Sequence, residues 1–288
     1  MENKITITII VMAIVVLAGI AAAFGIFSDS GKGPFIHESV RGLKVEIYGK
    51  GIYQHMSADV TIQGIAQDYV TLFIAIPLLL IALTGYRKKL LRFHFLLCGI
   101  LGYFLVTYLF YTAMGMYNIM YLFYVALLAL SFFGFFLTLR PLDNPDPEFS
   151  FSNKTPAKTI GCFMIFNAIS VAFLWLSIIV PPLIDGTIYP VELKHYTTLI
   201  VQGFDLGLLL PISFIIGILL IHKKPAGFIY GTVYLVFLAI LMTALSAKII
   251  AMAINDVNVI PVIFIIPTVN IIALLSAYFM VKNIPGKL

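Results

Sequence analysis

The sequence has few charged residues and only two cysteines, and each shortage excludes a class of protein. Charged residues make up 11% of the 288 positions, against about 25% in soluble domains. Cys98 and Cys162 lie within apolar runs and form no Cys-x-x-Cys or Cys/His pattern, which argues against a zinc site or a thioredoxin-like centre. No histidines or acids have catalytic spacing either. The sequence therefore predicts no cofactor and no metal, and it leans away from an enzyme.

Long apolar runs take the place of the missing charge. Hydrophobic residues make up 61% of the chain, and the excess falls in runs of roughly 18–25 residues, the length of a helix that crosses about 30 Å of hydrocarbon. The strands of a membrane barrel would be shorter and would alternate polar with apolar residues. The sequence therefore predicts an all-α polytopic transmembrane helix bundle. Its eight predicted spans are 5–27, 69–86, 90–112, 117–139, 159–181, 197–221, 227–251 and 259–281.

The first predicted span has two interpretations. It follows the short polar start MENK and ends near AAAFG, as a secretory signal does. Cleavable apolar regions are about 7–15 residues long, and this one is longer, so we expect an uncleaved anchor. Cleavage would leave seven spans, with the amino end outside.

Lysine and arginine indicate the orientation of the spans. They concentrate in GYRKKLLRF and HKKPAG, and in the segment that follows Arg140, which all fall on one side of an eight-span protein. The positive-inside rule then predicts a cell-membrane protein with both termini cytoplasmic. The formal charge of +5 belongs to these turns, so the expected partner is the lipid bilayer and not nucleic acid. A membrane-protein partner or a second copy of the chain is also compatible with the sequence.

The spans divide the chain into five segments. The outer segment contains GLKVEIYGKGIYQH, in which apolar and polar side chains alternate before Gly49-Lys50-Gly51. Alternation followed by glycines is typical of a β-hairpin, so a small extracytoplasmic hairpin is expected. The segments are 1–27 (first span or signal-anchor), 28–66 (outside), 67–139 (spans two to four), 140–158 (cytoplasmic linker) and 159–288 (spans five to eight).

An acid inside an apolar run indicates a polar site. Asp205 lies in the sixth span, about 12 Å below its outer end. Insertion scales assign roughly 2.5–3.5 kcal/mol to a central aspartate, so the carboxylate needs a cation, a proton or water beside it. Lys248 lies in the outer half of the next span, at a similar depth. The sequence predicts an Asp205–Lys248 pair or shared cavity, which either binds a ligand or only joins two helices.

Other polar residues extend this predicted pocket. Asp68 sits where the second predicted span begins, where an acid is either interfacial or complements the helix dipole. Gln67 and Gln202 are expected to join the two acids at an outer vestibule. The full predicted pocket for a small molecule or an ion comprises Asp205, Lys248, Gln202, Asp68 and Gln67.

Two prolines accompany these acids in a weak internal repeat. Residues 66–93 and 202–228 share an order of glutamine, aspartate, apolar run, proline and basic turn. Pro77 and Pro211 remove a helical hydrogen bond each and are expected to kink their spans. The distance from acid to proline differs between the copies. If the repeat is real, the chain consists of two parallel four-span halves.

Four short stretches carry a resemblance to known sequences: YGKGIY (48–53), GIAQD (64–68), MYNIMYLFYVALLALS (116–131) and VQGFDLGLLLP (201–211). They resemble an uncharacterised family of prokaryotic multi-pass membrane proteins. The resemblance touches most of the chain and implies a layout of spans, without an activity.

Three function classes follow from the sequence. The first is a transporter, channel or ligand-binding membrane protein with a polar pocket in the outer leaflet. The second is a structural, accessory or sensor subunit that acts through segment 28–66. The third is a membrane enzyme, for which no catalytic constellation is visible. We expect the first.

Overall fold

The computed structural model of the chain describes residues 3–143 and 155–284. Within them, eight helical segments are long and apolar enough to cross a membrane, which confirms the predicted all-α, multi-pass bundle. Helices suit these sequences because lipid offers no hydrogen-bond partner to an open backbone. The candidate spans are Lys4–Phe27, Ala58–Arg87, Leu91–Met114, Tyr121–Leu142, Ala157–Ile184, Ile200–Ile221, Pro225–Ile254 and Val262–Lys282.

Ten helices and two strands make up the described chain. Both ends of the predicted linker 140–158 are helical, and its central residues 144–154 lie outside the described residues. In chain order the elements are α1 (Asn3–Phe27), β1 (Phe35–Glu38), β2 (Lys44–Ile47), α2 (Ala58–Val70), α3 (Ile76–Arg87), α4 (Leu91–Met114), α5 (Tyr121–Asp143), α6 (Ala157–Ile184), α7 (Ile200–Phe204), α8 (Leu210–Ile221), α9 (Pro225–Ile254) and α10 (Val262–Lys282).

The second span begins earlier than its hydropathy indicates. Helix α2 starts at Ala58, whereas the sequence predicted a start at residue 69. The first turns of α2 carry Asp59, Gln63 and Gln67, which lower the hydropathy without stopping the helix. Residues 58–66 of the predicted outer segment are therefore helical.

The small hairpin is present, but its turn lies elsewhere. Strands β1 and β2 pair antiparallel, with Phe35 opposite Ile47, so Lys44–Ile47 is the second strand and not the first. The turn uses Ser39, whose hydroxyl accepts the backbone N–H groups of Arg41 and Leu43. The predicted glycine turn at Gly49–Gly51 leads instead into a single 3₁₀ turn, Gly51–Tyr53.

The chain divides into two compact units. Unit 1 contains Met1–Gly33, Tyr48–Thr155 and Thr232–Leu288, and unit 2 contains Pro34–Ile47 and Pro156–Gly231. The boundary falls inside α9.

In unit 1, α1 packs against α2, α3 and α5. The buried residues of α1 recur every three or four positions, as the packed stripe of a helix requires. They are Ile7, Val11, Ile14, Ala18 and Ala22.

In unit 2, α6 and α8 pack closely at two glycines. A Cβ at Gly161 would lie 2.6 Å from the Gly217 carbonyl oxygen, so only glycine permits this approach. The hairpin turn belongs to the same unit. There the Arg41 guanidinium donates to the carbonyl oxygens of Lys194 (3.2 Å) and Tyr196 (3.0 Å) and lies over the ring of Tyr189.

Two π turns interrupt the second and sixth spans. One covers Thr71–Ala75 and precedes Pro77; the other covers Asp205–Leu209 and precedes Pro211. In each, the backbone N–H just before the proline donates five residues back, from Ile76 to Thr71 and from Leu210 to Asp205. Proline cannot donate and crowds the carbonyl four residues earlier, and the wider turn accommodates both effects.

The internal repeat extends beyond these turns. Each π turn is followed by a 12-residue helix, α3 or α8, and then by a lysine with positive φ, Lys89 or Lys223. The same number of residues separates the two π turns, the two prolines and the two lysines. In this register Asp68 matches Gln202, so the two acids do not occupy equivalent positions, and this explains the unequal acid-to-proline distances.

Candidate functional site

Asp68 lies inside the second span, where an acid is costly. It is about 15 Å along the helix from Ala58 and only 5% exposed. The expectation that Asp68 complements the dipole at the start of its helix is therefore wrong, because the dipole acts within the first turn; the interfacial position stays a prediction. A carboxyl group at this position requires local partners.

Two tyrosines supply those partners. The Tyr53 hydroxyl donates to Asp68 Oδ2 at 2.5 Å, and the Tyr111 hydroxyl donates to Oδ1 at 2.9 Å. The two hydroxyl oxygens are 3.1 Å apart, and Tyr111 is also 3.3 Å from the Gly64 carbonyl oxygen. Tyr53 comes from the 3₁₀ turn and Tyr111 from α4, so three separate segments meet at one carboxyl group.

A glycine in α1 makes room for this carboxyl group. A Cβ placed on Gly25 would overlap Asp68 Oδ2 and would lie 3.2 Å from the Tyr53 hydroxyl oxygen. Helix α1 thus closes the site with bare backbone. Because Gly25 continues the buried stripe of α1, the first span is part of the site.

The neighbouring glutamine belongs to a second set of hydrogen bonds. Gln67 Nε2 donates to the Tyr103 hydroxyl at 2.6 Å and lies 3.4 Å from Thr107 Oγ1. The hydroxyls of Thr71 and Tyr103 are 3.0 Å apart. Tyr103, Thr107 and Tyr111 are four residues apart on α4 and so share one face. Side chains of that face bond to Gln67, Asp68 and Thr71. We call the whole set the Asp68 cluster (Tyr53, Gln67, Asp68, Thr71, Tyr103, Thr107 and Tyr111).

The hydroxyl protons around Asp68 can be arranged in two ways. With Asp68 ionised, each tyrosine donates to one carboxylate oxygen, and the contact between the tyrosine oxygens carries no proton. With a proton on Oδ2, this oxygen donates to Tyr53, Tyr53 donates to Tyr111, and Tyr111 donates to Oδ1. The same positions of the heavy atoms suit both states, as a group that binds and releases a proton requires.

Tyr53 keeps its own proton at neutral pH. It lies outside the candidate spans, and its burial, followed by the negative charge of Asp68, raises the pKa of its hydroxyl well above the usual value of 10.0. Tyr53 is therefore a hydrogen-bond donor, and not a competing acid, across the physiological pH range.

The predicted cation Lys248 lies in α9, in the same unit as Asp68. Three of the predicted pocket residues, Gln67, Asp68 and Lys248, thus belong to one unit. Gln67 and Asp68 are adjacent in α2 and share partners along one face of α4.

The other two predicted residues lie in unit 2. Gln202 is in α7, Asp205 opens the second π turn, and both are half-buried. The indole of Trp175 in α6 donates to Asp205 Oδ2 at 2.9 Å. The predicted Asp205–Lys248 pair would join residues of different units, and it stays a prediction.

A buried hydroxyl without a partner in the described part of the chain lies on the same helix as Asp68. Thr61 lies seven residues before Asp68 and so on nearly the same face of the helix. Its side-chain oxygen is buried and has no hydrogen-bond partner among the described residues. Such a group indicates a position for water.

Comparisons with protein-family models, with curated proteins and with solved structures gave no match. No relative therefore contributes a residue role, and the function has to follow from the geometry.

The tyrosines of the cluster were missed in the sequence. Aromatic residues are common at membrane interfaces, so Tyr103 and Tyr111 do not stand out individually in the sequence. The spacing of Tyr103, Thr107 and Tyr111 was the available signal, because three hydroxyls on one face of a span need partners. Tyr53 had no comparable signal, since nothing local connects it to Asp68.

Proposed function

We propose that the protein is a transporter of the cell membrane in which Asp68 binds the coupling proton. The observation that carries the proposal is the hydrogen bonding of Asp68 to Tyr53 and Tyr111, which suits both protonation states. An ionisable residue buried within a span is by default a functional candidate, and proton-linked transport uses such carboxyl groups.

The proposed ligand site is the Asp68 cluster of unit 1, to which Gln67 and Lys248 of the same unit would contribute. A small polar molecule or an ion is the proposed ligand, because these side chains offer a carboxyl group, an amide and an ammonium. The unpaired hydroxyl of Thr61 supports water access from the start of α2.

The π turns support the movement that transport requires. π turns are frequent at functional sites, and they interrupt the regular hydrogen bonding of a helix. Thr71 belongs both to the first π turn and to the Asp68 cluster, so a change at the carboxyl group reaches the irregular turn directly.

The proposed orientation follows from the basic turns. Residues 87–92 and 222–224 would lie in the cytoplasm together with both termini, and residues 28–57 would lie outside. The Asp68 cluster would then lie in the outer half of the membrane.

Infrared spectroscopy of the purified full chain tests the proton site. Lowering the pH from alkaline to mildly acidic should produce the C=O band of a buried protonated carboxyl group, and Asp68→Asn should lack it. Asp185→Asn is the matched control, because Asp185 is exposed and hydrogen bonds from Thr187 lower the pKa of its carboxyl group below the usual 3.8. An identical band in the Asp68→Asn protein would refute the proposed site.

Charge movement tests the transport proposal separately. A pH jump applied to the protein in a supported membrane should give a transient current that Asp68→Asn abolishes and Asp185→Asn retains. A wild-type protein with the infrared band but without current would bind a proton without transporting it.

A sensor or accessory role remains the second candidate, because the hairpin exposes apolar residues. Ile36 and Val40 are exposed on it, and apolar exposure of this kind marks interaction sites. Serine substitutions at both positions should leave the pH-jump current unchanged if the protein is a transporter. Loss of the current would favour a role that acts through the hairpin.

A further inference from the structure

A groove in unit 1 has a composition unlike that of the Asp68 cluster. It has a volume of about 410 Å³ and is lined by residues of α3, α4, α9 and α10. Its walls are apolar, and three of its lining residues are small, namely Ala82, Ala239 and Ala277. The small residues create the space, and the volume lies within the range of roughly 300–1,000 Å³ for ligand sites.

Two cations stand at one end of this groove. Arg92, at the start of α4, and Lys282, at the end of α10, both line it and are both exposed. Arg92 Nε donates to the Ile284 carbonyl oxygen at 2.8 Å, which holds the guanidinium at the end of α10. Lys282 lies over the ring of Tyr278 at 5.3 Å. Neither cation has a carboxylate partner within residues 3–143 and 155–284.

The length of the groove suits an amphiphile. The apolar lining continues from Arg92 to Ile100 along α4 and from Lys282 to Leu274 along α10, which is about 12 Å on each helix. One end is therefore cationic, and the rest offers only hydrocarbon contact. Among membrane components, this combination matches an anionic headgroup that carries an acyl chain.

We propose that the groove binds one anionic phospholipid, with its phosphate between Arg92 and Lys282 and an acyl chain along the apolar walls. Basic pockets between spanning helices attract anionic headgroups in this way. The proposal does not depend on proton binding at Asp68, since the two sites share no residue.

Native mass spectrometry of the purified, delipidated full chain tests the proposal. The probes are phosphatidylglycerol and phosphatidylcholine with identical acyl chains, added separately, and glycerol phosphate as the headgroup alone. The wild-type chain should retain one phosphatidylglycerol with about thirtyfold preference over phosphatidylcholine, as expected for two cations near the headgroup. Glycerol phosphate should not bind, because it lacks the acyl chain.

Variants of the protein distinguish its contact with the lipid headgroup from its contact with the acyl chain. Lys282→Gln should lower the preference for phosphatidylglycerol over phosphatidylcholine. The double variant Arg92→Gln/Lys282→Gln should lower it further. Lys88→Gln/Lys89→Gln removes two cations of the α3–α4 turn that do not line the groove, and should keep it. Ala277→Phe fills the groove and should lower retention of both phospholipids.

Four results would overturn the proposal. They are equal retention of the two phospholipids by the wild-type chain, an unchanged preference in Lys282→Gln, unchanged retention in Ala277→Phe, and equally strong binding of glycerol phosphate. Lys282→Gln keeps the test decisive if loss of Arg92 affects folding, because the Lys282 side chain makes no hydrogen bond within the described residues. Binding of glycerol phosphate at the same strength would identify an anion site instead of a lipid site.

Discussion

Asp68 depends on residues that lie far from it in the sequence. Gly25 gives the carboxyl group its space, and Tyr53 and Tyr111 give it hydrogen bonds. A change at any of the three should therefore affect the same group, although the changes act by different physical means.

Gly25→Ala should destabilise the protein through overlap with Asp68. Overpacking of a tightly packed position costs about 1–3 kcal/mol, and here the displaced atom also carries hydrogen bonds. Gly19→Ala is the control in the same helix, because its Cβ would meet only Ile76 Cδ1 at 4.0 Å. Thermal unfolding in detergent should show a lower midpoint for Gly25→Ala and an unchanged or slightly higher one for Gly19→Ala.

Tyr53→Phe and Tyr111→Phe should each remove one donor from a buried acceptor. Such a loss costs about 1–3 kcal/mol. Tyr117→Phe serves for comparison, since Tyr117 is 78% exposed and should be neutral. Equal stability of all three variants, measured by chemical denaturation, would contradict the hydrogen bonding described for Asp68.

Tyr53 should also make stability depend on alkaline pH. Its folded pKa is raised above the usual value of 10.0, so its contribution is fully present below about pH 10 and is lost as the pH rises towards the folded value. The wild-type chain should therefore lose stability above about pH 10 more steeply than Tyr53→Phe. Parallel stability curves for the two proteins would show that Tyr53 is not the titrating group.

The sequence predicted Asp68 and Gln67 as pocket residues but not the residues that hold them. A buried acid is visible because it interrupts an apolar run. Its partners depend on the rotation of α1 and α4 about their axes and on the path of the 3₁₀ turn, which residue spacing within a single helix does not determine.

At the scale of elements, each π turn precedes a proline, and the first π turn also contributes Thr71 to the Asp68 cluster. The prolines predicted an irregularity in two spans, but the sequence did not indicate that it would be a wider turn just before each proline. A π turn holds one residue more than the α-helical turn it replaces. The helical residues before and after the π turn therefore stay aligned on common faces. In a regular helix of the same length, the extra residue would rotate these faces out of alignment.

Deletion of Phe73 should therefore be tolerated better than deletion of Ile81. Phe73 lies in the first π turn and is 61% exposed, so its loss can leave a regular turn with the flanking faces in register. Ile81 is similarly exposed but lies in α3, where a deletion rotates the following residues by about 100°. Size-exclusion chromatography and thermal unfolding should show a folded protein only for the Phe73 deletion. Two equally damaged proteins would mean that the π turn does not absorb the extra residue.

The hairpin shows a different limit of sequence reasoning. The alternation in residues 43–48 correctly indicated a strand, and the glycines after it suggested the turn. The turn forms earlier because the Ser39 hydroxyl accepts two backbone N–H groups of residues 41 and 43. Gly42 adopts a positive φ in the same turn, so a serine acceptor and a glycine stabilise it together.

At the scale of the whole molecule, Arg41 links segments that are distant in the chain. Its two terminal nitrogens bond to the carbonyl oxygens of Lys194 and Tyr196, a geometry that lysine cannot reproduce. Arg41→Lys and Arg41→Ala should both increase amide hydrogen exchange in residues 189–196. Lys50→Ala, a change to an exposed cation that follows β2, should leave exchange there unaltered, and an effect as large as that of Arg41→Lys would count against the link.

The proposed orientation is also a property of the whole chain. Fusions of a fluorescent reporter at the carboxyl terminus should be active in the cytoplasm, and a periplasmic or surface reporter inserted after Val40 should be active outside. Fusions after His222 provide the internal check, because that turn should share the side of the carboxyl terminus. Activity of the surface reporter at the carboxyl terminus would reverse the proposed orientation.

The chain contains one tryptophan, and its indole N–H bonds to the carboxylate of Asp205. All indole fluorescence of the unlabelled protein therefore arises beside that acid. Any event that protonates Asp205, hydrates it or draws it towards a cation should change the emission maximum or the lifetime of the tryptophan fluorescence. The natural sequence thus carries its own optical probe at the second π turn, against which candidate substrates can be screened.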